Sequence, residues 1–383
     1  MPEAVIVATG RSPIGRAGKG SLVSVRPDDM LGYIVQKVLE KVPELPHDQI
    51  EDLICGCGFP HGETGMNVGR RAVFLSGLPD TVPGTTVNRF CASSLQAIRM
   101  AYHAIKAGEA DAIVAAGVES CSRVKTMPDA EDINMRLFGP GAIADAYITM
   151  GMTAENVADK YGITRQEMDQ FAYESQMRAT RARDEGIFAY EIIPVTTPDG
   201  TEVSQDDGIR SSTTVEGLAQ LKPVFKEDGR VTAGNACPLN DGAAAVVVMS
   251  DEKAKQLGIK PLARILGSAV SAIDPAIMGV GPIEACRKVF AQTGMTVDDI
   301  DVVELNEAFA AQVIPVSREV GWDMEKLNPH GGAIALGHPF GMTGARIMTT
   351  LLNDLQTLDR TYGLETMCVG GGQGMAMIVE RLD

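Results

Sequence analysis

Residues 85–108 read TTVNRFCASSLQAIRMAYHAIKAG, and residues 110–120 read ADAIVAAGVES. Thr85-Thr86-Val87-Asn88 is an extended, β-branched run. The segment from Ala92 reads as a helix ending at Gly108, since glycine closes helices without strain. The apolar stretch ADAIVAAGVES predicts a second strand. Strand, helix and strand in that order are the unit of an α/β fold. Cys91 stands at the first junction. A sulfur there lies at the positive end of a helix dipole, among unpaired backbone N–H groups. The expectation is a lowered thiol pKa and a thiolate available near neutral pH. Ala92, Ser93 and Ser94 are small and leave room for a bulky substrate. This segment alone is equally consistent with a buried small hydrophobe, the common state of a lone cysteine.

The alternation continues outward. AVIVATG (4–10) and IEDLICGCG (50–58) read as strands, and PDDMLGYIVQKVLEKVP (27–43) as an amphipathic helix with Asp28 and Asp29 in its first turn. The second half repeats this order. LARILGSAVSA (262–272) is a strand and GPIEACRKVFAQTG (281–294) a helix. DDIDVVELNEAF (298–309) matches HDQIEDLICGCG (47–58), with Ile300 against Ile50. GHPFGMTGARIMTTLLNDL (337–355) takes the place of the Cys91 helix, and LETMCVGGGQGMAMIVE (364–380) that of ADAIVAAGVES. Such self-similarity predicts two copies of one βα unit packed as a pseudo-symmetric pair. The region between the copies carries helices at TAENVADKYG and TRQEMDQFAYESQMRATRARDEG and is too long for a plain connection. It reads as an inserted lobe over the first repeat, to which the chain returns at DGAAAVVVMS. The expected division is a first repeat at 1–121 plus 240–260, an insertion at 122–239 and a second repeat at 261–383.

Composition narrows the function. Hydrophobic residues make up 45% and charged residues 22% of 383 residues, ordinary for a globular chain with a substantial core. No apolar run approaches the roughly 18 residues that span a membrane. The opening MPEAVIVATG has no signal-peptide or transit-peptide character, so a cytoplasmic location is expected. The 7 cysteines are scattered, which argues against a disulfide framework. Cys55 and Cys57 have no matching Cys/His cluster, so no metal site is expected. A net charge of −16 opposes nucleic-acid binding but not a local cationic patch for an anionic cofactor.

Three further segments carry chemistry. Asn306 and Glu307 end the apolar strand VVEL. GGAIALGHPFGMTGAR surrounds His338 with glycines, and Cys368 precedes the turn Gly370-Gly371-Gly372. Each alone has an ordinary structural reading. In a duplicated α/β fold, however, loops at the carboxyl ends of strands converge. Two thiols, an imidazole and a carboxamide brought together there suit acyl transfer through a thioester.

These residues resemble the thiolases, of the thiolase/ketoacyl-synthase superfamily. The matching stretches are RSPIG, VNRFCASSLQA, GMTAENVA, VTAGNACPLNDGAA, MGVGPI, NEAFA, GGAIALGHPFGMTGAR and CVGGGQGMA. They run in the family's order over almost the whole chain. The form VNRFCASSLQ looks closest to degradative bacterial 3-ketoacyl-CoA thiolases. The resemblance implies a five-layered α-β-α-β-α fold of two similar halves with an inserted loop domain. It implies Cys91 as the acylated nucleophile, His338 as acceptor of its proton and Asn306 as holder of an oxyanion water. It implies Cys368 as the proton shuttle, and the N–H groups of Cys91 and Gly370 as a second oxyanion hole.

Coenzyme A is implied as co-substrate, with no tightly bound cofactor. Arg210 is the candidate for its phosphates, and Met150 and Met278 for lining the acyl pocket. Cys237 stands where the family commonly has a serine that bonds the pantetheine arm. A thiol is a poorer donor, which puts that contact in question. The segment VKTMPDAEDINMRLFGPGAIADAYI (124–148) lacks strong family features, so chain length is not legible there. Family members assemble as dimers or tetramers, with the strand at 85–88 pairing across the dimer axis. The competing readings are a biosynthetic acetoacetyl-CoA thiolase and a non-catalytic acyl-CoA or lipid carrier of the same fold. A ketoacyl synthase fits less well, because that branch has a second histidine where this chain has Asn306 and no cysteine at the position of Cys368.

Overall fold

The computed structural model describes residues 2–127, 129–142 and 144–382, so Pro128 and Ile143 of the 124–148 segment lie outside the described residues. The chain enters strand β1 (Ala4–Arg11) and then helix α1 (Pro27–Leu39). A proline at its start and Asp28 and Asp29 in its first turn suit α1's N-terminus. Next come β2 (Asp52–Gly56), α2 (Val68–Leu75), β3 (Gly84–Val87), α3 (Ser93–Ala107) and β4 (Ala112–Ser120). Gly108 closes α3 with φ +74°. The inserted region holds α4 (Met150–Tyr161) and α5 (Arg165–Asp184), and β5 (Asn240–Ser250) completes the first half. The second half is β6 (Ala263–Ala272), α6 (Gly281–Thr293), β7 (Val302–Leu305), α7 (Ala310–Val320), α8 (Thr343–Thr357), β8 (Tyr362–Val369) and β9 (Gln373–Arg381).

Both halves have one topology. In the first, β1 is antiparallel to β5, β5 antiparallel to β4, and β4 parallel to β2. In the second, β6 is antiparallel to β9, β9 antiparallel to β8, and β8 parallel to β7. The halves join where β1 meets β6, Val5 opposite Arg264, giving the order β7-β8-β9-β6-β1-β5-β4-β2-β3. The counterpart of β3 shrinks to a single bridge, Val303 with Leu327. One expected match needs correction. The stretch 364–380 is not one strand but the hairpin β8–β9, turned through Gly370–Gly372. Its second strand corresponds to β5, which in the first half lies beyond residues 121–239.

Alternation along the strands sets the layers, since both faces are buried. Val5, Val7, Leu53, Val114 and Val247 pack on Ile34, Val35 and Val38 of α1. The opposite face, Ile6, Ile54, Ile113 and Val246, packs on Leu95, Ile98 and Ala101 of α3. The same central cluster takes in Ile347, Met348 and Leu351 of α8, and Met367, Met375 and Met377 from the second half's strands. The outer face of those strands, Leu364, Cys368, Ala376 and Ile378, packs on Val289 of α6 and on Val313 and Val316 of α7. The result is five layers: helices, strands, the α3/α8 pair, strands and helices.

The insertion spans both halves rather than lying over the first repeat alone. Ala154, Val157 and Ala158 of α4 and Met168 and Phe171 of α5 belong to the cluster of α6 and α7. Their apolar faces are therefore buried on the second half. The insertion also reaches the first half, where Ile193, Val195 and Val203 pack into the α1 cluster and a buried polar group reinforces the contact. Arg11 at the end of β1 pairs with Glu191 at 2.7 Å and Asp206 at 2.8 Å, all fully buried or nearly so. Removing one partner from such a group costs about 3–5 kcal/mol, because the remaining charge is left unpaired.

Candidate active site

Helices α3 and α8 bring their N-termini together at the centre of the molecule. Ser94 Oγ accepts from Ala345 N at 2.8 Å. A Cβ on Gly344 would lie 2.3 Å from Leu95 N, so only glycine permits this approach. Each terminus carries a loop with one sequence-predicted residue.

Cys91 sits in a helical turn, Phe90–Ala92, just before α3. Phe90 is held at φ +44°, in the left-handed region, with its N–H donating to Asn88 Oδ1 at 2.8 Å. Such strain persists only where the surroundings enforce it. The backbone N–H groups of Gly370 and of Cys91 itself face the sulfur. They favour thiolate, as expected from sequence, yet the thiol moves the other way. Burial pushes Cys91 up to about 11, and the Glu119 carboxylate adds to the rise. The expectation of a thiolate available near neutral pH is thus corrected: only 6% of Cys91 is exposed, and lost hydration outweighs two N–H donors.

His338 follows the glycine turn before α8 and is 1% exposed. Its Nδ1 lies 2.6 Å from Thr343 Oγ1, whose hydroxyl donates to Pro339 O at 2.7 Å. The threonine oxygen therefore accepts from Nδ1–H, leaving Nε2 as the basic nitrogen. Asn306 Nδ2 faces that nitrogen at 3.3 Å. Asn306 Oδ1 is buried with no protein partner among the described residues. Burial, with Arg346 nearby, lowers His338 to about 3, so the ring is neutral at physiological pH. The resting site holds a thiol and a neutral imidazole.

Cys368 ends β8 fully buried, and burial raises its thiol, with Cys91 and Cys237 contributing. Cys237 senses Cys91 and Glu307, and its N–H donates to Ala308 O at 3.0 Å. It therefore lies between the nucleophile loop and the Asn306 loop. Met278 belongs to the same apolar cluster as Cys368, and Met150 and Cys237 pack against it. Arg210 lies apart, exposed, in a pocket with Arg16, Thr213, Gly234 and Pro238. Burial lowers Arg210, and Arg16 lowers it further, so the two cations share one space.

Four functional neighbours escaped the sequence reading. Thr343 selects the His338 tautomer, and Asn240 Oδ1 accepts from His338 N at 2.9 Å. Arg16 joins Arg210. Glu119, 1% exposed, accepts from Gly58 N at 2.8 Å, Phe59 N at 3.3 Å and Gly341 N at 2.9 Å. It thereby ties a first-half loop to the His338 loop, and burial raises it to about 7. A lone acid ending the apolar strand ADAIVAAGVES was the available signal. Among the described residues no group of His, Cys, Asp or Glu could hold a metal ion, and no helix is long and apolar enough to cross a membrane.

Comparison with known proteins agrees with this architecture. Residues 4–252 match the family model for the thiolase N-terminal domain, and 259–381 that for the thiolase C-terminal domain. The chain is 47% identical to a beta-ketoadipyl-CoA thiolase of Acinetobacter baylyi, covering 100% of both chains. It is 44% identical to a 3-ketoacyl-CoA thiolase of Bacillus subtilis, covering 99% of this chain and 100% of that one. The crystal structure of the Bacillus anthracis acetyl-CoA acetyltransferase superposes with a TM-score of 0.92 at 40% identity, covering 100% of this chain and 99% of the other. Duplicated topology, paired helix termini and full-length similarity lead to one conclusion: the chain belongs to the thiolase family, acyltransferases that use coenzyme A as co-substrate.

Proposed function

We propose that this protein cleaves a 3-ketoacyl-CoA with coenzyme A, yielding acetyl-CoA and a shortened acyl-CoA through an acyl-enzyme on Cys91. The observation that carries the reading is the meeting of the α3 and α8 N-termini, which brings the Cys91 turn beside the loop where His338 Nε2 lies 3.3 Å from Asn306 Nδ2, with the buried Cys368 thiol near Cys91. Cys91 sulfur attacks the 3-keto carbon while His338 Nε2 takes its proton. The C2–C3 bond breaks, and its electron pair becomes the enolate of acetyl-CoA. Cys368 protonates that carbon, and the imidazolium with a water on Asn306 holds the thioester oxygen. Coenzyme A, deprotonated by Cys368, then takes the acyl group from Cys91. The N–H groups of Gly370 and Cys91 face the acyl oxygen throughout, and one such donor is worth about 3–4 kcal/mol. A proton handed to a ring that resists charge stays only briefly, which favours its passing on.

Residues 122–239 would cover the coenzyme and acyl chain, with Arg16 and Arg210 at the phosphates and Met150 and Met278 along the acyl group. Pairing of the edge strand β3 between two copies would give a dimer or tetramer. Exposed Phe74 and Phe90, 54% and 40% accessible, flank that edge. Sedimentation velocity checks this, and a monomer at micromolar concentration removes it.

A degradative role predicts that chains longer than acetoacetyl are cleaved fastest. Since relatives carry the names beta-ketoadipyl-CoA thiolase and 3-oxoadipyl-CoA/3-oxo-5,6-dehydrosuberyl-CoA thiolase, 3-oxoadipyl-CoA is assayed beside the fatty acyl substrates. Thiolysis confined to acetoacetyl-CoA would favour the biosynthetic reading, and none at all the carrier. In the same assay, Arg210→Met should raise KM for CoA about tenfold with kcat retained, equivalent to about 1.4 kcal/mol.

A further inference from the structure

The β8–β9 turn is held unequally at its three glycines. Gly372 is pinned by backbone: its carbonyl accepts from Ile273 N at 2.7 Å, and a Cβ there would meet the Ile273 carbonyl oxygen at 2.3 Å. Gly371 has φ +77° and would meet only the Gln373 amide. Gly370, whose N–H faces the Cys91 sulfur, has its carbonyl held by one side chain: Gln373 Nε2 donates to it at 3.2 Å. Gln373 Oε1 in turn accepts from Arg89 Nη1 at 2.7 Å, and Arg89 Nε donates to Gln96 Oε1 at 2.9 Å. Arg89 precedes Cys91 by two residues, and its own N–H donates to Ser93 Oγ at 2.9 Å. Both guanidinium contacts thus go to amide oxygens, and one of them crosses from the first half to the second.

We infer that Arg89 and Gln373 are positioning residues, a clamp that aims the Gly370 N–H at the acyl oxygen carried by Cys91. The inference rests on the acyl-enzyme reading above. A glycine has the widest φ/ψ freedom of any residue, so its N–H direction must be imposed from outside. The N–H and carbonyl of Gly370 flank one Cα, so holding the carbonyl limits the N–H. An oxyanion donor works only when it is aimed beforehand, within about 3 Å of the oxygen. Because Arg89 is on the nucleophile's own loop, the clamp references the donor to the sulfur rather than to the distant sheet.

The test uses the full chain with a 3-ketoacyl-CoA and CoA. Gln373→Met removes both contacts at similar volume. Gln373→Glu keeps an acceptor for Arg89 but loses the donor to the Gly370 carbonyl. Expected is a kcat lowered about tenfold in both, less than the roughly 100- to 1000-fold for losing a donor outright. KM for CoA should stay within about twofold, and Tm should not move. Arg89→Met, which frees Gln373 without removing it, should lower kcat by about threefold. Iodoacetamide alkylation of Cys91 should need a higher pH in Gln373→Met, because the N–H no longer steadies the thiolate. Wild-type kcat in either Gln373 variant overturns the clamp, as does a fall in kcat matched by a fall in Tm. Cys91→Ala separates the two levels. Activity retained there sinks the acyl-enzyme reading itself, whereas a dead Cys91→Ala beside a fully active Gln373→Met sinks only the clamp.

Discussion

Cys91→Ala should lower thiolysis by at least about 10,000-fold, in the range seen when a covalent nucleophile is removed from a coupled site. The fold should survive. Cys91 is buried in a turn built by its neighbours, and loss of its sulfur costs on the order of 1 kcal/mol. Intact-mass analysis after incubation with substrate should show an acyl adduct on the wild type and none on the variant. Full thiolysis in Cys91→Ala would falsify the assignment. The pH dependence has a definite sign. With Cys91 raised to about 11 and His338 lowered to about 3, the empty site holds no thiolate–imidazolium pair between these values. Alkylation by iodoacetamide should therefore be slow at pH 7 and climb steadily through pH 10. A plateau near pH 7 would show that an ion pair forms in the free enzyme.

Cys368→Ala should divide the reaction. Acylation of Cys91 by a simple thioester needs no proton at the α-carbon, so it should persist within about tenfold. Carbon–carbon cleavage should fall by about 1,000-fold or more, the upper part of the range for a positioned acid–base group. The two rates are measured separately, as burst acylation and as steady-state thiolysis. Equal retention of both would remove the proton-shuttle role from the second thiol. Its burial makes the role chemically sensible: Cys368 holds its proton until an enolate, a far stronger base than water, is formed beside it.

Much of the architecture was legible because it rests on short-range patterns. The strand at 112–120 and the helix to Gly108 follow from apolar runs and a glycine stop. The duplication was visible in order even where residues differ, down to Ile50 and Ile300, each buried before its strand. The misreadings were those of partnership. The chain reverses at Gly370–Gly372 to form a hairpin, which a glycine-rich run within apolar sequence does not by itself distinguish from one strand. The insertion straddles both halves, its helices α4 and α5 on the second and Ile193, Val195 and Val203 on the first, because an apolar face does not name the surface that buries it.

Sequence by itself determined which chemical groups this chain has and, through their places at strand and helix ends, which of them could meet. The thiols, His338 and Asn306 belong to that list. Only the tertiary structure decided their protonation. A helix N-terminus favours thiolate by local geometry, but burial depends on every layer packed around it. For Cys91 that desolvation outweighs the dipole and both N–H donors. The partners that tune the site come from remote positions for the same reason. Glu119 and Gln373 reach their targets because the α3/α8 layer and the joined sheet halves bring distant segments to hydrogen-bond distance, a fact carried by packing and not by spacing along the chain, whereas Thr343 reaches His338 across one local turn.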